Sequence, residues 1–202
     1  MHLRELFLRE DDRSTAVFAF GRFNPPTIGH EKLIQKVQSM AKQVNGKGYI
    51  FLSHTGGTAK DPIDFTTKLS YLRQHFQSDK SLSFGDVRAN TIIKVMKVLQ
   101  AEGRTRVIMI AGDDRVMQFQ KLLNQYNGNP NKAGDVEYKF DEIQVVSAGQ
   151  RDPDADDITG VSASKARELA MKGQEQEFSR MVMGGDKGKV LYDKIQDQFG
   201  KT

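Results

Sequence analysis

Apolar positions along the chain alternate between two spacings, one typical of strands and one typical of helices. Short apolar runs, which are typical of buried strands, occur at 15–20, 49–52, 81–84, 106–110 and 143–146. Apolar residues three and four positions apart predict helices at 29–43, 66–77, 89–101, 114–126, 162–172, 174–182 and 187–198. Strands that alternate with helices of this length form right-handed βαβ units. We therefore predict an α/β fold, with a doubly wound parallel sheet of about five strands, helices on both faces and a C-terminal helical appendix.

The same pattern predicts one domain over residues 14–202, in which 173–202 form the helical appendix. Residues 1–13 form a separate, short amphipathic segment, because their apolar residues share one helical face: Leu3, Leu6 and Phe7. We interpret this segment as a terminal helix that packs on the edge of the domain. A docking peptide for a partner protein is the alternative.

Composition narrows the class of protein. The chain has 202 residues, 28% of them charged, a net charge of +4 and no cysteine, which excludes disulfides and cysteine zinc sites. It has no apolar run of transmembrane length and no secretory signal at its start, so we expect a cytoplasmic protein that does not contact membranes. Basic and acidic residues are interleaved rather than grouped. We therefore expect nucleic acid not to be the main ligand.

The most informative segment follows the first predicted strand. It reads Phe-Gly-Arg-Phe-Asn-Pro-Pro-Thr-Ile-Gly-His over residues 20–30. A strand that enters a Gly/Pro loop here delivers Thr27 and His30 to the first turn of a helix. Backbone N–H groups at a helix start attract phosphate, and two side chains three residues apart lie on one face. The segment predicts a place where a nucleoside triphosphate is held, at the carboxyl edge of the sheet.

A second segment, Gly160–Arg167, has similar local chemistry. Ser162 is a good N-cap, Ser164 lies in the first turn, and Arg167 follows one turn later. A cation beside free helix N–H groups suits a triphosphate. The alternative is an ordinary capped helix with a surface arginine.

These two segments carry a family resemblance. Gly21–His30 resembles the signature loop of the nucleotidylyltransferase superfamily, in which His or Thr, any residue, Gly and His follow a Gly-x-Phe-x-Pro lead. This chain has the Thr form of the signature. Gly160–Arg167 is similar to the family's second signature, Ile-Ser-x-Thr/Ser-x-x-Arg at a helix start. The resemblance covers approximately residues 15–170 and implies that the predicted sheet is Rossmann-like.

The resemblance implies nucleotidyl transfer, in which a phosphate of the acceptor attacks the α-phosphorus of ATP or CTP and pyrophosphate leaves. The attacking phosphate is already an anion, so alignment and charge stabilisation replace a strong general base. The implied catalytic donors are Thr27, His30 and Arg167. The implied nucleotide-binding residues are Gly21, Arg22, Phe23, Asn24, Gly29, Ser162 and Ser164. We expect Mg²⁺ to bind through the phosphates, with no metal ligand from the protein.

The acceptor side of the implied site draws on two further segments. The loop 53–62 resembles a family loop that leads to Asn/Asp-Pro before a helix, and it offers His54 and Lys60 to phosphate or acceptor. Asp113 follows the strand 106–110 and resembles a residue that lines the nucleoside and acceptor pocket. The plainer interpretations are a flexible loop with one solvated lysine and an aspartate that caps the next helix.

The Gly-Arg-Phe-x-Pro lead is most similar to the nicotinamide-mononucleotide (or nicotinate-mononucleotide) adenylyltransferases, which would place the chain in NAD biosynthesis. A cytidylyltransferase and a pantetheine-phosphate adenylyltransferase are alternatives, since the Thr form of the signature occurs in the pantetheine-phosphate branch. A non-catalytic nucleotide-binding or scaffold protein is the alternative from another class. RNA binding is a third hypothesis, in which Lys94, Lys97, Arg104 and Arg106 form a basic patch. The plainer interpretation of these four residues is a solvated helix face and the loop that follows it. The expected partners are ATP or CTP and a small phosphorylated acceptor, with a homo-oligomer left open.

Overall fold

A computed structural model describes residues 14–149 and 162–200. Its five strands form one sheet in the order β3-β2-β1-β4-β5. They are β1 (Thr15–Gly21), β2 (Lys47–Leu52), β3 (Leu82–Phe84), β4 (Arg106–Ala111) and β5 (Glu142–Ser147). Parallel register places Thr15 opposite Arg106, Arg106 opposite Glu142, and Gly48 opposite Leu82. The predicted α/β fold with a Rossmann-like parallel sheet is confirmed.

Each helix that the apolar spacing predicts is present, with ends shifted by a few residues. The helices are α1 (Ile28–Gln43), α2 (Phe65–His75), α3 (Ile92–Ala101), α4 (Val116–Tyr126), α5 (Ala163–Met171), α6 (Glu175–Met181) and α7 (Lys189–Phe199). Short 3-10 turns lie at Asp113–Arg115 and Gly185–Gly188. Helices α6 and α7 form the predicted C-terminal helical appendix.

Strand order reverses between β1 and β4, and sheets of this type bind ligands beyond the carboxyl ends of the strands at such a point. β1 is buried on both faces, since Ala16, Val17, Phe18 and Ala19 are all fully buried. This explains its continuous apolar run. Its carboxyl end at Gly21 opens directly into the Gly/Pro loop.

The chain divides into two compact units. Among the described residues, the first unit holds 14–20, Leu33–Phe51 and 80–149, and therefore nearly all of the sheet. The second unit holds Gly21–Lys32, Leu52–Asp79 and 162–200. The predicted amphipathic segment with Leu3, Leu6 and Phe7 lies outside the described residues, and the assignment of 14–202 to one domain stays a prediction.

Helices cover both faces of the sheet in the first unit. On one face, side chains of α3 and α4 join a buried cluster with alternate strand residues, among them Phe18, Phe51, Met96, Val107 and Leu123. On the opposite face, Val37 of α1 comes so close to β2 that a Cβ atom at Gly48 would lie 3.4 Å from it. Glycine at position 48 therefore lets α1 approach the sheet.

Two details differ from the sequence prediction. The helix predicted over 114–126 begins with a 3-10 turn, and the N-cap positions of that turn and of α4 are held by Gly112 and Arg115 rather than by Asp113. The capping interpretation of Asp113 is therefore wrong.

The inward face of α2 also differs. The apolar spacing predicts that Leu69, Leu72 and Phe76 face inward, whereas the buried residues are Lys68, Tyr71 and Leu72. The helix is therefore rotated relative to the predicted orientation, and its inward face contains a lysine.

Candidate functional site

Thr27 and His30 form a hydrogen-bonded unit at the start of α1. The Thr27 backbone N–H donates to Nδ1 of His30 at 3.0 Å, and the Thr27 hydroxyl lies 2.8 Å from the same nitrogen. An Nδ1 that accepts an N–H bond carries no proton of its own, so a neutral His30 ring keeps its proton on Nε2. The motif therefore fixes a tautomer that makes Nε2 a hydrogen-bond donor.

The ring of Phe23 supports that of His30. The two ring centroids are 4.6 Å apart, and Phe23 is fully buried. Phe23 also adopts a left-handed backbone conformation with φ of 49°, which a bulky residue holds only where its surroundings impose it. A Cβ atom at Gly21 would lie 3.0 Å from the Phe23 ring. The glycine of the lead therefore leaves room for the phenylalanine that orients the histidine.

The Asn24 side chain joins this loop to the residues before α2. Its amide donates to the carbonyl of Ile63 at 2.8 Å and accepts from the Ile63 N–H at 3.1 Å. Asn24 is only 1% exposed, so both hydrogen bonds are shielded from water and hold the loop firmly. Asn24 therefore acts here as a buried connector.

Arg167 of α5 contacts the motif loop, which is the segment Gly21–His30. Its Nη1 donates to the carbonyl of Asn24, and its Nη2 donates to Ser164 Oγ at 3.1 Å. Ser162 is the N-cap of α5 and accepts from the Lys165 N–H at 3.1 Å, which confirms the predicted cap. Asn24 and Arg167 are 143 residues apart in sequence, so the two segments that resemble family signatures meet in the second unit.

A buried carboxylate faces these cations. Asp61 is 8% exposed, and its Oδ1 lies 3.5 Å from Arg22 Nη1. Burial lowers the pKa of Arg167, and the charge of Asp61 opposes that shift. The arginine remains a cation at neutral pH, so Arg22, Arg167 and Asp61 form a mixed cluster with an excess of positive charge.

Lys68 connects the two loops of this cluster. Its ammonium donates to the backbone carbonyls of Arg22 at 2.9 Å, Ser53 at 3.0 Å and Thr55 at 2.8 Å. The residue is fully buried. Burial lowers the pKa of Lys68 to about 8, although Asp61 and Asp64 act in the opposite direction. At pH 7 the side chain is therefore mostly protonated and uses all its N–H groups.

The residues predicted to bind the acceptor belong to different units. The His54 ring packs against Phe65 at 4.0 Å between centroids, and its buried Nε2 has no hydrogen-bond partner among the described residues. Lys60 is exposed on the same loop. Asp113 belongs to the first unit, where it is exposed at the start of a 3-10 turn. Arg22, Asn24, Thr27 and His30 lie on one loop, and Arg167, which also contacts Ser164, reaches that loop at the Asn24 carbonyl.

Val182 and Met183, which follow α6, also contact the motif loop. Thr27 forms an antiparallel bridge with Val182, and the Met183 N–H donates to the carbonyl of Pro26 at 3.2 Å. The Tyr71 hydroxyl in turn donates to the Met183 carbonyl. The appendix is therefore hydrogen-bonded to the loop that holds His30.

Three of the four basic side chains considered for RNA binding have contacts within the protein. Lys97 pairs with Glu137 at 2.8 Å, and Arg106 pairs with Glu142 at 2.7 Å. Arg106 is only 7% exposed, and Arg104 donates to the Tyr49 hydroxyl. These contacts favour structural roles for the basic side chains over an open RNA surface.

The donor set of the site suits phosphate oxygens rather than a metal held by the protein. Arginines, an imidazole N–H and hydroxyl groups donate hydrogen bonds, and anionic oxygens accept them well. Residues 14–149 and 162–200 contain no group of three or more His, Asp or Glu residues placed to hold a metal ion. A divalent cation that arrives with a triphosphate fits this arrangement, because Mg²⁺ commonly binds through substrate phosphates and water.

Sequence reasoning missed Lys68, Asp61 and Tyr71. A signal for Lys68 exists, since residues 68, 71, 72 and 75 follow the i, i+3, i+4, i+7 spacing of one helical face. That face contains a lysine, a tyrosine and a histidine besides one leucine. This face was not predicted to point inward, because the apolar residues at 69, 72 and 76 indicate a different face.

Comparison with known proteins agrees with this geometry. The family model described as cytidylyltransferase-like matches residues 18–169, which span both signature segments. A comparison with curated proteins gives no match.

Two solved structures share the fold. Both are nicotinic acid mononucleotide adenylyltransferase of Plasmodium falciparum, one complexed with APC and one with NaAD. Each is 11% identical to this chain with a TM-score of 0.59; the alignment covers 91% of this chain and 94% or 95% of the other. Within the described part of the chain, no helix combines the length and apolarity needed to cross a membrane.

Proposed function

Because the chain belongs to the cytidylyltransferase-like family, we propose that it is a nucleotidyltransferase that moves an adenylyl group from ATP to a mononucleotide acceptor. The acceptor we propose is nicotinamide or nicotinate mononucleotide, with pyrophosphate as the second product. The two Plasmodium falciparum structures, described as nicotinic acid mononucleotide adenylyltransferase, support this choice through their fold. The Gly-Arg-Phe-x-Pro lead supports it through its sequence.

One observation carries the proposal. Arg167 donates to the carbonyl of Asn24, so the guanidinium of the second signature lies against the loop of the first. A cation that contacts this loop and an imidazole donor that the loop carries can bind neighbouring phosphates of the same triphosphate. Neither signature alone offers that arrangement.

The proposed chemistry is alignment and charge stabilisation. His30 donates through Nε2 to the α-phosphoryl oxygens as charge develops there, and its tautomer is set in advance by the Thr27 N–H. Thr27 acts mainly through His30, because its hydroxyl is buried against the imidazole. Arg167 and Ser164 hold the leaving pyrophosphate, and the acceptor phosphate attacks in line without a general base.

Arg22 completes the cationic side of the site. Its ion pair with Asp61 is long, at 3.5 Å, and its side chain is mostly exposed, so an incoming phosphate can replace the carboxylate as its partner. Mg²⁺ bound between phosphate oxygens would supply further charge neutralisation. Asp113, His54 and Lys60 stay the proposed acceptor-side residues.

The test is pyrophosphate release. The purified chain is incubated with Mg²⁺ and either ATP or CTP, and each nucleotide is paired with nicotinamide mononucleotide, nicotinate mononucleotide, phosphopantetheine or glycerol 3-phosphate. We expect release with ATP and one of the two mononucleotides. Release only with CTP would replace the adenylyl assignment by a cytidylyl one, and release with phosphopantetheine would change the acceptor.

Two variants in the same assay distinguish an enzyme from a non-catalytic scaffold protein. His30→Ala removes the proposed donor, whereas Lys121→Met changes an exposed residue of α4 in the other unit. We expect only His30→Ala to slow release strongly. If neither the wild type nor Lys121→Met releases pyrophosphate with any pair, the chain is a nucleotide-binding or scaffold protein and the proposal is wrong.

A further inference from the structure

Lys68 is a buried cation without a role in the reaction outlined above. A lysine side chain that is fully buried costs free energy unless its N–H groups are satisfied. Here each of the three N–H bonds has a backbone carbonyl partner, at 2.8–3.0 Å. The complete set of partners indicates a specific function for the charge at this place.

The three carbonyls belong to two different loops. One is that of Arg22, in the loop that carries Thr27 and His30. The other two are those of Ser53 and Thr55, in the loop that carries His54 and Lys60. Lys68 itself stands on α2, which its N-cap Asp64 anchors through a bond from the Thr67 N–H at 2.9 Å. One ammonium group on α2 thus joins both loops, in addition to the hydrogen bond that the Ser53 N–H donates to the Gly21 carbonyl at 2.8 Å.

We propose that Lys68 is a positioning residue whose ammonium holds the motif loop and the 53–55 loop at the spacing that a nucleoside triphosphate requires. The inference rests on the proposed function, and it concerns the regulation of nucleotide binding by one proton. An ammonium has three N–H bonds for the three carbonyls. A neutral amine has only two, and its lone pair faces the third carbonyl oxygen, so loss of the proton releases one loop contact.

The charged groups around Lys68 determine the direction of the pH dependence. Asp61 and Asp64 favour the ammonium, Arg22 disfavours it, and burial lowers its pKa to about 8. A bound triphosphate adds negative charge at the same place and raises that pKa, so nucleotide binding takes up a proton above pH 8. Nucleotide affinity then falls as pH rises through this range, by up to about tenfold per pH unit for one linked proton.

The experiment measures binding of ATP with Mg²⁺ by calorimetry, in the absence of acceptor, from pH 7 to pH 9.5. The variants are Lys68→Met, Lys68→Arg and the control Lys121→Met, each checked for folding by circular dichroism. We expect Lys68→Met to weaken binding at pH 7 by about tenfold, equivalent to about 1.4 kcal/mol. Lys68→Arg keeps its charge at all these pH values, so its affinity changes less with pH than that of the wild type.

The wild-type pH profile tests the proposal even if neither variant folds. A wild-type affinity that is constant between pH 8 and 9.5 would overturn it. So would a Lys68→Met protein that binds ATP as the wild type does, or a Lys68→Arg protein with the same pH dependence as the wild type. Absence of ATP binding by both the wild type and Lys121→Met would instead contradict the proposed function itself.

Discussion

At the scale of single residues, the imidazole of His30 is prepared before any ligand arrives. Its Nδ1 accepts from the backbone of Thr27, and its ring lies against Phe23. Both contacts come from within the same ten-residue motif. A donor that needs no reorganisation during the reaction stabilises developing charge more effectively than one that must first rotate.

Replacement of His30 tests this donor. We expect His30→Ala to lower kcat by about 10²–10³-fold, the usual cost of removing one preorganised donor. Thr27→Val keeps the backbone N–H bond to Nδ1 and removes only the hydroxyl, so its effect on kcat should be smaller. Steady-state pyrophosphate release measures both variants. A Thr27→Val protein that is slower than His30→Ala would show that the hydroxyl contacts substrate directly.

Arg167 has a structural contact as well as a proposed phosphate contact. Arg167→Ala removes the charge and leaves the Asn24 carbonyl without this partner, so we expect KM for ATP to rise and kcat to fall together. A hydrogen bond to a charged group contributes about 1.5–3 kcal/mol, which corresponds to at least a tenfold loss in kcat/KM. Kinetics at several ATP concentrations separate the two constants. Unchanged values of both would remove Arg167 from the site.

At the scale of secondary-structure elements, the segment between α6 and α7 depends on one glycine. Gly184 has φ of 79°, and a Cβ atom there would lie 3.1 Å from both Tyr71 Oη and His75 Nδ1. Tyr71 donates to the neighbouring Met183 carbonyl, and His75 pairs with Glu31 at 3.2 Å. The turn therefore packs directly on α2, whose His75 contacts Glu31 of α1.

Gly184→Ala should destabilise the protein through both backbone and packing. Gly103 provides the matched control, because its φ of 77° is similar and a Cβ atom there would meet nothing within 4 Å. We expect a loss of about 1 kcal/mol for Gly103→Ala and about 2–3 kcal/mol for Gly184→Ala. Urea denaturation measures the free energy of unfolding of each. Equal losses would mean that Tyr71 and His75 move aside at little cost.

The sequence predicts elements well and the interior of the site less completely. Strands and helices follow from apolar spacing, and Thr27, His30 and Arg167 follow from short linear motifs. The contacts of Lys68 do not, because a lysine in a helix is normally solvated and only the packing of α2 shows that its inward face includes this residue. The Arg22–Asp61 pair is missed for a related reason: neither residue has a neighbour in sequence that indicates the other.

At the scale of the whole molecule, each unit buries tyrosines whose hydroxyl groups strongly prefer to remain protonated. Burial and a 2.6 Å hydrogen bond to Glu102 raise the pKa of Tyr49, and burial raises that of Tyr138. In the second unit, burial and the charge of Glu31 raise the pKa of Tyr71 to about 12. In the unfolded chain all three ionise near pH 10.

These shifts make stability sensitive to alkaline pH. The folded state holds the phenolic protons above pH 10 while the unfolded state releases them, so the free energy of unfolding is undiminished below about pH 10 and falls above it. Urea denaturation at pH 8, 10 and 11 measures the decrease. Tyr49→Phe should reduce the slope above pH 10, and an identical slope in this variant would show that Tyr49 ionises normally in the fold.

The second unit is assembled from three separate stretches of chain, and this has a consequence for synthesis on the ribosome. The carbonyls that Lys68 binds are 46, 15 and 13 residues before it, whereas the Asn24 carbonyl precedes Arg167 by 143 residues. At about 5–20 residues per second, Arg167 is added roughly 7–29 s after Asn24. Lys68 is added long before Arg167. In a nascent chain, Lys68 can therefore bind the carbonyls of the first and second stretches before the arginine of the third stretch has been translated.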